Sequence, residues 1–290
     1  MNVLITGANG QLGNELRRLA AGSGQRFIFT DVNEAPGQET VYLDITNKDA
    51  VRIIARAENV DVIVNCAAYT NVDRAEDDPD MALLLNRTAV ANLAEVAAEC
   101  KASLIHISTD YVFPGTDCRP ITEDRSPEPL GVYGATKLAG EREVALSGCR
   151  SIIIRTAWLY SPFGRNFVKT MLNLTEMNDT VKVVCDQVGT PTYAADLAGL
   201  VVRIISGNML DRTGTYHFSN EGAVSWYDFA QAVNELGGHS CKVVPCLSGE
   251  FPSKAARPSY SVLDKSLVKS TFGIEIPYWR DSLKDCLKRM

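Results

Sequence analysis

The first half of the chain alternates short apolar runs with segments whose apolar residues recur at helical spacing. Residues 3–6 form a compact apolar run, and after a glycine-rich turn Leu12, Leu16 and Leu19 put one apolar face on a helix over 11–20. Residues 27–30, 60–65, 102–108 and 151–156 read as further strands, and 50–57, 81–100 and 133–146 as helices. Near-continuous apolar strands separated by helices of this length bury both faces, which predicts a parallel sheet covered on both sides. Right-handed crossovers then give a doubly wound α/β sheet.

Beyond about residue 159 the rhythm degrades. Residues 181–185, 215–218 and 242–245 read as short strands, and 166–174, 194–205, 225–236 and 281–289 as helices. The pattern predicts a first domain over 1–160 and a second, smaller α/β domain over most of 161–290 that closes over ligands held by the first. Residues 186–206 are expected to return to the first domain, which makes the boundary discontinuous.

Composition narrows the function classes. The 290 residues are 46% hydrophobic and 22% charged, ordinary for a soluble globular chain. The net charge of −6 and scattered basic residues argue against a nucleic-acid partner, which calls for a basic stripe. None of the eight cysteines forms a Cys-x-x-Cys pair, so reduced thiols are expected rather than a disulfide framework or zinc site. No apolar stretch is long enough to span a membrane and the N-terminus lacks a signal-peptide pattern, so a cytoplasmic location is expected.

The turn Gly7-Ala8-Asn9-Gly10-Gln11-Leu12-Gly13 follows the first strand and opens the first helix. Glycines there permit a tight strand-to-helix turn and let a pyrophosphate approach the helix N-terminus. Asp31 ends the second strand, where a carboxylate accepts hydrogen bonds from an adenosine ribose, as in Rossmann sheets. It would also repel a 2′-phosphate, and Val32, Asn33 and Glu34 supply no arginine in compensation. The expected cofactor is NADH or NADPH, with NADH at least as good. Asp44-Ile45 and Ala67-Ala68-Tyr69-Thr70, after later strands, are expected to finish the pocket.

Tyr133 and Lys137 lie four apart at the start of a predicted helix, hence on one face. The preceding strand ends in Ser108-Thr109-Asp110-Tyr111. Reducing a ketone puts negative charge on the carbonyl oxygen, so an acid must supply a proton. A neighbouring ammonium would make a phenol a better acid, and a threonine hydroxyl could orient the same oxygen.

With its Gly-x-x-Gly-x-x-Gly and Tyr-x-x-x-Lys motifs, the chain resembles the extended short-chain dehydrogenase/reductases. Within that superfamily it is most similar to enzymes that reduce a 4-keto group on a nucleotide-linked deoxysugar. The resemblance runs through residues 6–13, 65–72, 108–115, 132–141, 155–160, 186–192 and 257–264. It implies a catalytic triad of Thr109, Tyr133 and Lys137, with Asp110, Tyr111 and Trp158 near a nucleotide-sugar substrate. It implies cofactor contacts from Gly10, Gln11, Leu12, Asp31, Asp44, Ile45, Ala68, Tyr69 and Thr70. Trp158 would pack an aromatic face on the deoxysugar and Arg257 would pair with substrate phosphate. Some relatives form a dimer bridged by magnesium through three carboxylates. Glu15 matches the first, but Ala195 and Arg289 stand at the other two positions. The expectation is therefore no structural magnesium, and a monomer or weak homodimer. Alternatives are a nucleotide-sugar epimerase with tightly held NAD, or a non-catalytic regulatory subunit.

Overall fold

The computed structural model describes residues 1–251 and 253–290; Pro252 lies outside them. Strands β1 (Asn2–Thr6), β2 (Arg26–Asp31), β3 (Val41–Tyr42), β4 (Val62–Asn65), β5 (Ser103–Thr109), β6 (Arg150–Thr156) and β7 (Gly214–Phe218) form one sheet. Its order is β7-β6-β5-β4-β1-β2-β3, and every pairing is parallel. The expected doubly wound sheet is therefore present, and its order reverses at β1, where such sheets open a crevice beyond the strand ends.

Side-chain alternation divides the core in two. Val3, Ile5, Val62, Val64, Ile105, Ile152 and Ile154 face helix α1 (Gln11–Ala20) and the helix Ala194–Ser206. Leu4, Ile63, Leu104 and Ile153 face α2 (Lys48–Ala57) and α3 (Ala89–Cys100). A further apolar cluster surrounds the parallel pair Thr180–Val184 and Lys242–Cys246, packed by Phe167–Met177, Trp226–Leu236 and Trp279–Leu287.

Four segments differ from the sequence reading. Residues 215–218, placed with the later region, lie in β7 at the edge of the main sheet beside β6. The helices Val72–Asp77 and Ser266–Phe272 were not predicted; each is short, and the first buries only Ala75. The single helix expected over 81–100 is interrupted by a π-helical turn at Leu84–Thr88. The buried Asn86 explains it: its side chain accepts from the Tyr69 amide and donates to the Tyr69 carbonyl and Thr136 hydroxyl.

Helix α4 (Val132–Leu146) carries Tyr133 and Lys137, and two glycines set its position. A Cβ on Gly134 would stand 2.1 Å from the Tyr111 carbonyl oxygen, and one on Gly140 would stand 2.1 Å from that of Asn86. Both obstacles are backbone, so the helix must move if either position gains a methyl group.

Glu15 on α1 is fully buried. Arg289 binds both of its carboxylate oxygens, at 2.8 and 3.1 Å, and Arg18 binds at 2.9 Å. Arg289 also donates to the Tyr193 hydroxyl. Two guanidinium groups thus already satisfy the carboxylate that would begin a magnesium site, so these residues do not fit a bridging divalent cation.

Although alanine is favoured over glycine by about 1 kcal/mol in a helix, Gly140→Ala is expected to lose about 1–3 kcal/mol in urea unfolding through overpacking; a gain would contradict the close approach. Arg289→Leu is expected to lower stability by about 1–3 kcal/mol, since Arg18 remains as partner. A chelator should leave the melting temperature and elution volume of the native chain unchanged; a chelator-sensitive dimer would overturn this.

Candidate active site

A cleft of about 1050 Å³ runs along the carboxyl ends of the main-sheet strands. Its wall includes Gly7, Gly10, Gln11, Leu12, Asp31, Asp44, Ile45, Ala68 and Thr70, together with Thr109, Asp110, Tyr111, Tyr133, Lys137, Trp158 and Arg257. The glycine turn and the tyrosine–lysine helix thus face one space. Of the residues singled out in the sequence, Gly13 and Tyr69 do not line it. Gly13 lets α1 pack closely, because a Cβ there would meet Ala8 backbone at 2.5 Å. The Tyr69 backbone is held by Asn86.

At one end, Gly7 has φ +65°, and a Cβ on it would meet the Ala67 amide nitrogen at 2.7 Å. Gly10 caps α1 without a side-chain hydrogen bond, and no acid occupies the first turn. The first-turn amides of such a helix lack intrahelical partners, which makes this end receptive to an anion. Asp31 accepts from the amides of Asn9 at 3.0 Å and Asn33 at 2.9 Å, so it braces the turn as well as lining the cleft. Asp44 accepts from the Thr46 amide and hydroxyl in the same way. This donor and glycine arrangement fits a dinucleotide.

Gln11 joins that turn to a loop the sequence reading passed over. Its side-chain oxygen accepts from Ser161 at 3.2 Å and Asn166 at 3.0 Å. The loop presents Gly164 and the exposed Arg165 to the cleft, and Arg165 has no ion pair among the described residues. The available signal was a Gly-Arg dipeptide in a loop after a strand end.

At the reactive end, Tyr133 packs edge-on against Tyr111, with ring centroids 5.5 Å apart. Burial pushes the Tyr133 phenol well above its ordinary range; the nearby Thr109 hydroxyl acts in the opposite direction. Lys137 is 2% exposed and donates to the Ile107 carbonyl at 2.6 Å. Burial lowers its ammonium to about 8, while Glu141 and Cys66 oppose that. The sequence reading had the ammonium lowering the phenol directly, but here its titratable neighbours are Cys66, His106 and Glu141. The resulting phenol is a neutral acid at pH 7, the form a reduction needs at its start.

The remaining wall is aromatic and ionic. Trp158 has φ +49° and stacks on Trp226 with centroids 3.5 Å apart. Trp226 also lines the cleft, and nothing local in the sequence marked it. Asp110 is 1% exposed, and burial raises its carboxyl to about 6. Arg257 pairs with Asp73 at 2.8 Å and reaches the Tyr111 hydroxyl at 3.4 Å. Burial pushes the Tyr111 phenol up to about 12, with Arg257 opposing.

Comparison with known proteins places this geometry. The model of the RmlD substrate binding domain matches residues 1–290. A dTDP-4-dehydrorhamnose reductase of Aggregatibacter actinomycetemcomitans is 39% identical, over 98% of this chain and 97% of the relative. The crystal structure of a dTDP-4-dehydrorhamnose reductase from Clostridium acetobutylicum superposes with TM-score 0.93 at 44% identity, covering 100% and 99% of the two chains. One from Bacillus anthracis, in complex with NADP, gives TM-score 0.87 at 35% identity over 100% and 99%. With the whole chain matched and these identities along its full length, the protein belongs to the RmlD substrate binding domain family.

Proposed function

We propose that the protein reduces the 4-keto group of dTDP-4-dehydro-L-rhamnose to give dTDP-L-rhamnose, with NADH or NADPH as hydride donor. The observation that carries this reading is the meeting of Tyr133, Lys137 and Thr109 with the glycine turn on one cleft wall. The relatives named as dTDP-4-dehydrorhamnose reductases support the choice of substrate.

In this reading Gly7, Gly10, Gln11 and Leu12 hold the cofactor pyrophosphate at the start of α1, with Arg165 as its counter-charge. Asp31 takes the adenosine ribose, Asp44 and Ile45 flank the adenine, and Ala68 and Thr70 line the way to the reactive end. The cofactor, when bound, supplies the hydride and leaves a cationic ring. Tyr133 donates its proton to the carbonyl oxygen, Thr109 hydrogen-bonds that oxygen, and Lys137 holds the ribose. Arg257 meets the substrate phosphates, preset by Asp73. Trp158 and Trp226 present an aromatic wall to the deoxysugar.

The direct test follows NADH oxidation with enzymatically generated dTDP-4-keto-6-deoxy-L-mannose and identifies the product by NMR. Tyr133→Phe is expected to lower kcat by about 10²–10⁴-fold while cofactor affinity stays within about threefold. Unchanged turnover would remove the phenol from the reaction. The cofactor arm of the cleft is lined by Asp31, Val32, Asn33, Glu34, Ala35 and Pro36, two acids and no cation. A 2′-phosphate there meets like charge, so kcat/KM with NADH is expected to equal or exceed that with NADPH. A tenfold or greater preference for NADPH, worth about 1.4 kcal/mol, would contradict this assignment.

A further inference from the structure

Behind the catalytic face of α4 lies a buried ion pair. Tyr133, Lys137 and Glu141 follow one another at four-residue intervals and so lie along one helix stripe. Glu141 is 6% exposed and Arg155, on β6, is 5% exposed. Arg155 Nε donates to one Glu141 oxygen at 2.9 Å and Nη2 to the other at 2.7 Å, a bidentate pair. The Ser108 hydroxyl donates to the same carboxylate at 2.5 Å. Ser108 directly precedes Thr109 at the end of β5, and Arg155 stands three residues before Trp158. One carboxylate therefore ties together the three elements that carry the phenol and ammonium, the threonine hydroxyl and the cleft tryptophan.

Its charge is also well placed. Lys137 has as titratable neighbours Cys66 from the end of β4, His106 from β5 and Glu141 from its own helix. Burial holds His106 neutral and the Cys66 thiol protonated. Glu141 is thus the only anion among these groups, shared between the ammonium and the guanidinium. Arg155 Nη1 has no hydrogen-bond partner among the described residues, and the guanidinium lies over the Phe113 ring, 5.1 Å from its centroid.

We propose that Glu141 is a positioning residue of the reduction centre. Its buried carboxylate, fixed by Arg155 and Ser108, sets α4 against the ends of β5 and β6 and supplies the buried counter-charge one helical turn from the Lys137 ammonium. This deepens the proposed reduction and rests on it. The isolated charge balance, however, is testable without turnover.

The test is a ¹³C NMR titration of lysine side chains labelled at Cε, with the Lys137 resonance assigned by Lys137→Met. In Glu141→Gln two buried cations lose their shared anion, so the Lys137 titration should move down by about one pH unit or more. In Arg155→Met the competing cation is gone, so it should move up. Ser108→Ala keeps both charges and should leave it in place. In the reduction assay the alkaline limb of kcat should move to lower pH in Glu141→Gln, because the ammonium is lost earlier as pH rises. KM for NADH should stay within about threefold while kcat falls roughly 10–100-fold. A folded Glu141→Gln with an unmoved Lys137 titration overturns the proposal. Should that variant not fold, Arg155→Met decides: an upward shift supports the counter-charge, and no shift or a downward one overturns it. Absence of NADH oxidation by the native chain would sink the reductase reading while leaving the NMR outcome decisive for Glu141.

Discussion

Everything at the reactive end depends on how closely α4 approaches the end of β5. The Tyr111 carbonyl occupies the space beside Gly134, and the Asn86 carbonyl the space beside Gly140. No side chain separates these backbones, so the helix is seated by hard contact rather than by adjustable packing. That seat brings Tyr133 beside Tyr111 and aims Lys137 at the Ile107 carbonyl. The same seat lets Glu141 meet Ser108 and Arg155. Without it, a tyrosine and a lysine four apart would be two ordinary residues on an amphipathic helix.

The sheet supplies the other half of the arrangement. Parallel strands deliver all their carboxyl ends to one edge, and the reversal of order at β1 opens the crevice there. The glycine turn after β1 and the Ser108–Asp110 segment at the end of β5 therefore meet across one cleft although about a hundred residues separate them. The burial that creates this cleft also governs its acids. It keeps the phenol neutral and weakens the ammonium, and the one buried carboxylate behind the helix works against the second of these effects.

Much of this was legible in the sequence because it is local. Apolar runs of four to seven residues marked the strands, and the glycine turn was marked by position between a strand and a helix. Tyr133 and Lys137 were marked by helical spacing. The parts that were missed are those fixed by distant partners. Asn86 makes a π turn only because Tyr69 and Thr136 lie beside it. Trp226 enters the cleft only by stacking on Trp158, far away in the chain. β7 joins the main sheet because β6 leaves it a parallel edge, which no periodicity within 214–218 reveals. Gly13 and Tyr69 carry the pattern of cofactor residues but do not line the cleft; Gly13 approaches the Ala8 backbone and the Tyr69 backbone is held by Asn86.

The central claim is that the Tyr133 phenol gives its proton to the oxygen of a keto group whose carbon receives hydride in this cleft. A crystal structure of the Tyr133→Phe protein with reduced cofactor and keto-sugar tests it most directly, since that variant should hold both without turnover. The account predicts the substrate carbonyl oxygen beside the edge of the substituted ring and within hydrogen-bond reach of the Thr109 hydroxyl, about 2.6–3.2 Å, with Lys137 on the nicotinamide ribose. A sugar seated with its keto oxygen turned away from that ring, or a nicotinamide outside this cleft, would contradict it.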